Sequence, residues 1–226
     1  TILVQNDINQ ALLNCLHTRA THKGINLKLF NHNNVIDRCN DTIAGIICQN
    51  PSKIGNVNNF DNICAVAKEY NILTACHSDL ISSLYIKSPG VQGFDIAFGN
   101  GGNMGIGLNY GGPQPAFMSV KKFLGRQLPG RIIGKSIDKY NNEVYRLTWQ
   151  TREQHIKREK ATSNICTSQS LLANMSVSWA MYHGEGGLRN IANQIHTNTN
   201  VLYDELYKHT NLDIINRNFY DTITLD

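Results

Sequence analysis

Two stretches of this chain concentrate the side chains that chemistry needs. The first is Thr151 to Met175, TREQHIKREKATSNICTSQSLLANM. Thr151 suits an N-cap, with Glu153 and Gln154 in the first turn and Arg158, Glu159 and Lys160 towards the end, so the spacing predicts a helical arm. Beyond it Thr162, Ser163, Asn164, Thr167 and Ser168 stand beside a new helix start, where hydroxyl, amide and backbone N–H groups could converge on an anion. A capped helix junction explains the same residues, and pattern alone favours it. The second stretch is ILTACHSDLISSL, in which Asp79 closes a strand. Asp79 before Leu80-Ile81-Ser82 reads as a helix N-cap.

Other chemical signals are weaker. Gly99 to Gly112 includes GNGGNMGIG and resembles a phosphate cradle, but no helix follows it directly, and close backbone packing is the better reading. Cys15, Cys39, Cys48, Cys64, Cys76 and Cys166 form no CxxC pair and no zinc-type grouping with histidine, so reduced core thiols are expected. Cys166, in the polar tract, is the candidate reactive thiol, an inert one being the simpler reading. The eight histidines share no metal-ligand spacing, and no metal is expected.

Composition narrows the class. Hydrophobic residues make up 41% and charged residues 17%, ordinary values for a globular chain of 226 residues. Net charge is +4 with scattered Lys and Arg, which does not point to nucleic acid. No apolar run reaches membrane-spanning length, and the opening TILVQNDINQALL already reads as strand then helix, with no targeting segment visible. The N-x-S match at Asn174 falls inside an apolar helix and reads as chance. Asn is over-used, for example at Asn31 to Asn34 and Asn56 to Asn62, and is read as compositional drift.

Short apolar runs alternate with amphipathic stretches, the pattern of an α/β domain with a mainly parallel sheet. Strands are expected at residues 2–4, 26–30, 43–48, 72–76, 94–98 and 116–120, and helices at 8–20 and 59–70. Residues 131–149 alternate around Asn141-Asn142 as a hairpin excursion. Two helices, 171–182 and 188–207, precede a strand-like end at 212–225. The organisation expected is a large domain over 1–210 and, at 211–226, the start of a truncated small α+β domain, left without a covering helix.

Four motifs, in order, carry a resemblance: YGGPQPAF at Tyr110 to Phe117, LPGRIIGKSID at Leu128 to Asp138, the tract from Thr151 to Met175, and MYHGEGGLRNIA at Met181 to Ala192. Together they resemble the glycine decarboxylase (P-protein) family of the glycine cleavage system, over essentially the whole chain. The resemblance implies the three-layer fold of a type I pyridoxal-phosphate (PLP) transferase, the aspartate aminotransferase-like large domain with a mainly parallel, mixed seven-stranded sheet. It implies PLP as cofactor, glycine as substrate and lipoylated H-protein as acceptor of the aminomethyl group. Asp79 matches the aspartate that pairs with the pyridine nitrogen. Thr162, Ser163, Asn164 and Thr167 would offer hydroxyls and an amide to the cofactor phosphate or substrate carboxylate.

The family's Schiff-base lysine belongs on the loop Gly99 to Pro113, which holds no lysine; Gly102-Asn103 stands where the family carries a Gln-Arg pair. The chain therefore resembles the N-terminal, non-lysine half. It is expected to be inactive alone and to need a lysine-bearing partner half, which would hold most of the PLP. The alternative is a non-catalytic interaction half or a degenerate fragment. Bacterial cytoplasm or mitochondrial matrix is the expected setting, without secretion, membrane or nucleic acid.

Overall fold

The computed structural model describes residues 1–128, 132–147, 158–160 and 169–226. Contacts divide the chain into two compact units, Thr1–Ser119 with Ser170–Asp226, and Val120–Gln169.

Parallel strands hidden on both faces read as continuous apolar runs rather than alternating ones, and the centre of the main sheet follows that rule. Its six strands are β1 (Ile2–Gln5), β2 (Leu27–Phe30), β3 (Gly45–Asn50), β4 (Leu73–Ser78), β5 (Ile96–Asn100) and β6 (Ala116–Val120), ordered β2-β1-β3-β4-β5-β6. The pairs β1–β2, β1–β3, β3–β4 and β4–β5 are all parallel. Among the described residues this sheet has one strand fewer than the seven the resemblance implies.

Helix α1 (Gln10–His22) is started by Asn9, whose side-chain oxygen accepts the Ala11 N–H at 2.8 Å. Helix α2 (Asp61–Glu69) turns Ile63, Cys64 and Ala67 onto the sheet, where they join Leu3, Phe30, Ile46, Cys48 and Cys76 in one buried cluster. Phe60, at the entrance to α2, has no exposed surface and meets Phe94 edge-on at 5.5 Å. Full burial of such a side chain contributes about 1.5–3 kcal/mol. A four-residue helix, α3 (Pro89–Gln92), ends on left-handed Gly93 and leads into β5.

The two helices expected after residue 170 run as α4 (Ser170–His209), helical except at Gly184, where φ is 62° and ψ −179°. The sequence HGEGG thus interrupts the helix at one residue. The C-terminal residues depart further from expectation. Instead of a strand over 212–225 there are isolated bridges, Asn56 with Phe219 and Ile214 with Leu225. The cause is local: the Asn216 amide donates to the Thr222 carbonyl at 2.7 Å and accepts the Thr224 N–H at 2.8 Å, curling the segment on itself. Tyr220 is buried with Ile81 and Ala192, and its hydroxyl donates to the Ala192 carbonyl at 3.1 Å.

In the second unit, β7 (Ile133–Ile137) and β8 (Glu143–Leu147) pair antiparallel as the expected hairpin. Its turn is held by Asp138, whose carboxylate accepts the Tyr140 and Asn142 N–H groups at 2.7 and 2.9 Å, with Asn141 left-handed at φ 65°. Of the helical arm expected at 151–160, Arg158–Lys160 forms a single 3-10 turn; residues 151–157 lie outside the described residues.

Candidate functional site

A strand order of 2-1-3-4-5 reverses direction between β1 and β3, and the carboxyl ends of strands around such a switch point form a natural crevice. A cavity of about 340 Å³ lies there, lined by Asn9 after β1, Gln49 and Pro51 to Lys53 at the end of β3, His77 to Asp79 at the end of β4, and Asn100 at the end of β5. Ser82, Asn103, Gln114, Asp221 and Thr222 complete the wall.

Buried amides fix this rim. Gln5 accepts the Gln49 N–H at 3.0 Å, and Gln49 accepts the Asn9 N–H at 2.7 Å, so one chain of side chains ties β1, β3 and the start of α1 together. Asn50 donates to the Asn58 carbonyl and accepts the Asn58 N–H, both at 3.0 Å, closing the loop that carries Lys53. Both Gln49 and Asn50 are buried, where an unmet amide would be costly.

Asp79 sits in this cavity and also acts as a cap. One carboxylate oxygen accepts the Ser82 N–H at 2.6 Å, starting the 3-10 turn Ser82–Leu84, and the other accepts the Asn103 side-chain amide at 2.8 Å. Beside it, burial lowers the His77 pKa below its ordinary value, with the Asp79 charge opposing, which keeps the imidazole neutral near pH 7. The Asp221 carboxyl is pushed up, by desolvation first, with Asp79 adding to the effect and the Thr222 hydroxyl working against it.

The loop after β5 reaches the cavity because glycine lets it lie close to its neighbours. Gly105, at φ 79°, passes under the Trp179 indole of α4, where a Cβ would stand 2.5 Å from the ring. A Cβ at Gly102 would stand 2.6 Å from Gln114 Oε1. The tight-packing reading holds at Gly99, Gly102 and Gly105, whereas a Cβ at Gly111 would meet open space.

Of the residues singled out from sequence, Asp79 is therefore in the cavity, whereas Thr162, Ser163, Asn164, Thr167 and Cys166 lie outside the described residues. Asn9, Gln49, Lys53 and Asn100 were not singled out, and Asn103 only for standing with Gly102 where the resemblance implies a Gln-Arg pair. Their one signal is position, each being polar and within a few residues of a strand end. Among the described residues no cluster of His, Cys, Asp or Glu could hold a metal, and no helix is long and apolar enough to cross a membrane.

Comparison with known proteins decides the family. The family model described as glycine cleavage system P-protein matches residues 1–226. The chain belongs to the glycine cleavage system P-protein family. The chain is 41% identical to the putative mitochondrial glycine dehydrogenase (decarboxylating) of Schizosaccharomyces pombe, over 100% of this chain and 22% of that protein. It is 42% identical to the mitochondrial glycine dehydrogenase (decarboxylating) of Mus musculus, over 92% of this chain and 20% of that protein. It thus spans about a fifth of these P-protein relatives. A crystal structure of glycine decarboxylase (P-protein) in inhibitor-bound form superposes with a TM-score of 0.90 at 27% identity, covering 97% of this chain and 51% of that one. An aspartate aminotransferase from Thermus thermophilus, 14% identical with a TM-score of 0.63, shares the fold.

The fold family implies PLP, and the cavity provides a test of it. Asp79 stands at the end of β4, where each of its oxygens accepts one hydrogen bond from the chain. The β5–β6 loop offers no lysine, and Lys53, the lysine in the wall, follows β3. Among the described residues Pro51 is the sole aliphatic side chain of the lining, with the His77 ring beside it. The residues of this cavity do not fit a covalently held PLP.

Proposed function

We propose that this chain is the N-terminal, non-lysine portion of a glycine decarboxylase, working with a lysine-bearing half that holds most of the PLP. The assembly would decarboxylate glycine and pass the aminomethyl group to the lipoyl arm of H-protein. The observation that carries this reading is the pairing of a P-protein match over residues 1–226 with a β5–β6 loop that lacks lysine. The alternative of a purely non-catalytic half is not favoured, since the relatives are named glycine dehydrogenase (decarboxylating).

In this reading PLP supplies the electron sink for carbon–carbon cleavage, and this chain contributes positioning. Thr162, Ser163 and Thr167 offer hydroxyls and Asn164 an amide, across the interface of the halves, to the cofactor phosphate or the glycine carboxylate. Asp79 serves chiefly to cap the Ser82–Leu84 turn. Residues 211–226 lead towards a smaller domain of the longer family chain. The mitochondrial relatives support a matrix setting, and bacterial ones such as that of Vibrio vulnificus a cytoplasmic one.

Reconstitution tests this. Carboxyl exchange between glycine and labelled CO2 is expected only when the lysine-bearing half is added. Exchange by that half alone, unchanged on adding this chain, would reject the reading. In the reconstituted enzyme Thr167→Ala should weaken PLP binding about tenfold or more, the loss of one hydrogen bond to a charged group; unchanged affinity would remove Thr167 from the site.

A further inference from the structure

The cavity that does not fit a covalently held PLP carries charge of both signs. Lys53, Asp79 and Asp221 all line it, and among the described residues the Lys53 ammonium pairs with neither carboxylate. Contacts at either end hold these charges in place. The Lys53 N–H donates to the Asp7 carbonyl at 3.1 Å, beside the start of α1. The Val57 N–H donates to the Asn218 carbonyl at 2.8 Å and the Thr224 hydroxyl to the Ile54 carbonyl at 2.9 Å. The loop that carries Lys53 is thus tied to the C-terminal segment on both sides of Asp221. A cation and two carboxylates that share a cavity without neutralising one another complement a ligand of mixed charge.

A separate observation marks where the ligand's anion would sit. Gln49 lines the cavity at only 8% exposure, and its Oε1 accepts the Asn9 N–H at 2.7 Å, so the other atom of that amide is the NH2 group. Among the described residues that NH2 donates to nothing. Polar groups so nearly buried are normally paired, and this one calls for an acceptor. It stands with Lys53 and with Asn9, the cap of the thirteen-residue α1, whose positive end also favours an anion. The acceptors for a cation are the carboxylates. Asp79 takes one hydrogen bond on each oxygen and has lone pairs to spare, and Asp221 accepts the Thr222 hydroxyl on one oxygen at 2.9 Å. Desolvation first, with the Asp79 charge adding to it, pushes the Asp221 carboxyl up, and a cation beside both would oppose that.

We propose that this cavity holds a small polar α-amino acid as a zwitterion, reversibly and without an imine. Its carboxylate would meet Lys53, the Gln49 amide and the start of α1, and its ammonium Asp79 and Asp221. At about 340 Å³ the cavity lies at the low end of small-molecule sites, about 300–1,000 Å³, and its polar wall selects a short, polar side chain. The inference goes beyond the decarboxylase reading, for it needs neither a lysine-bearing half nor turnover. Isothermal titration of the full chain with glycine and with L-serine, up to about 20 mM, tests it. Both should bind at a single site and raise the melting temperature as their concentration rises. Acetate and methylammonium, each with one half of the charge pattern, should bind about tenfold more weakly or less. Lys53→Met and Asp221→Asn should each weaken glycine binding about tenfold or more, with an unchanged circular dichroism spectrum. Binding of neither amino acid, acetate binding as tightly as glycine, or affinities indifferent to both substitutions overturns the proposal. No arm measures carboxyl exchange, so failure here leaves the decarboxylase reading to its own test.

Discussion

Gln49 and Asn50, adjacent at the end of β3, hold the cavity rim from two sides, one tied to Gln5 and Asn9, the other to Asn58. Because both are buried, truncation leaves backbone N–H groups unmet, and Gln49→Ala or Asn50→Ala should each cost about 1–3 kcal/mol in denaturant unfolding. Their partners lie 8 to 44 residues away, distances that no local pattern reveals. Asp79 was legible as a cap because its partner is three residues on. Titration adds a prediction at the same scale. Burial lowers the pKa of His77 and of His32 below 6.5. Between the lowered value and 6.5 the unfolded chain binds more protons than the folded one, so stability is intact above 6.5 and falls as pH drops through it. Melting temperature should decline from pH 7 to pH 5, less steeply in a His77→Gln variant. Thiol reactivity should follow burial too. Cys76 is pushed up to about 12 by desolvation and its neighbour Cys64, and burial pushes Cys48 well above its ordinary value, whereas Cys15 is exposed. Mass spectrometry after iodoacetamide at pH 8 should therefore find Cys15 modified well before Cys48 or Cys76.

Among elements, the buried strands were the most legible, since Ile46, Ile47 and Cys48 form a run that only a covered parallel strand needs. Their ends were less so: β4 and β5 each extend two residues past the expected limit, into Ser78 and Asn100, the polar residues that face the cavity. Apolar periodicity stops where the polar residues that line the cavity begin. The glycine-rich loop shows how an element is placed by what it lacks. Gly105 combines a positive φ with a ring 2.5 Å from any added Cβ, so Gly105→Ala should destabilise by about 1–3 kcal/mol. Gly24 has a positive φ of 62° but open space around it, and Gly24→Ala should cost about 1 kcal/mol or less by the same thermal measurement. Equal losses would mean that Trp179 does not constrain the loop.

For the molecule as a whole, order of elements settled the fold class, and six strands in the order 2-1-3-4-5-6 put a crevice at the β1/β3 switch point. What that crevice holds was not legible from periodicity, because its wall is assembled from separate stretches of chain spread between Asn9 and Thr222. The missing lysine, in contrast, is a plain property of Gly99 to Pro113. Its consequence is the central proposal: this P-protein chain carries the fold of a PLP enzyme and leaves the covalent hold on the cofactor to a lysine-bearing half. The direct test is to titrate the purified chain with PLP, reduce with borohydride and map lysine adducts by mass analysis. The account predicts no site-specific lysine adduct and no glycine-dependent CO2 release from the chain alone. A single stoichiometric adduct, at Lys53 or elsewhere, together with glycine-dependent CO2 release from this chain by itself would contradict it.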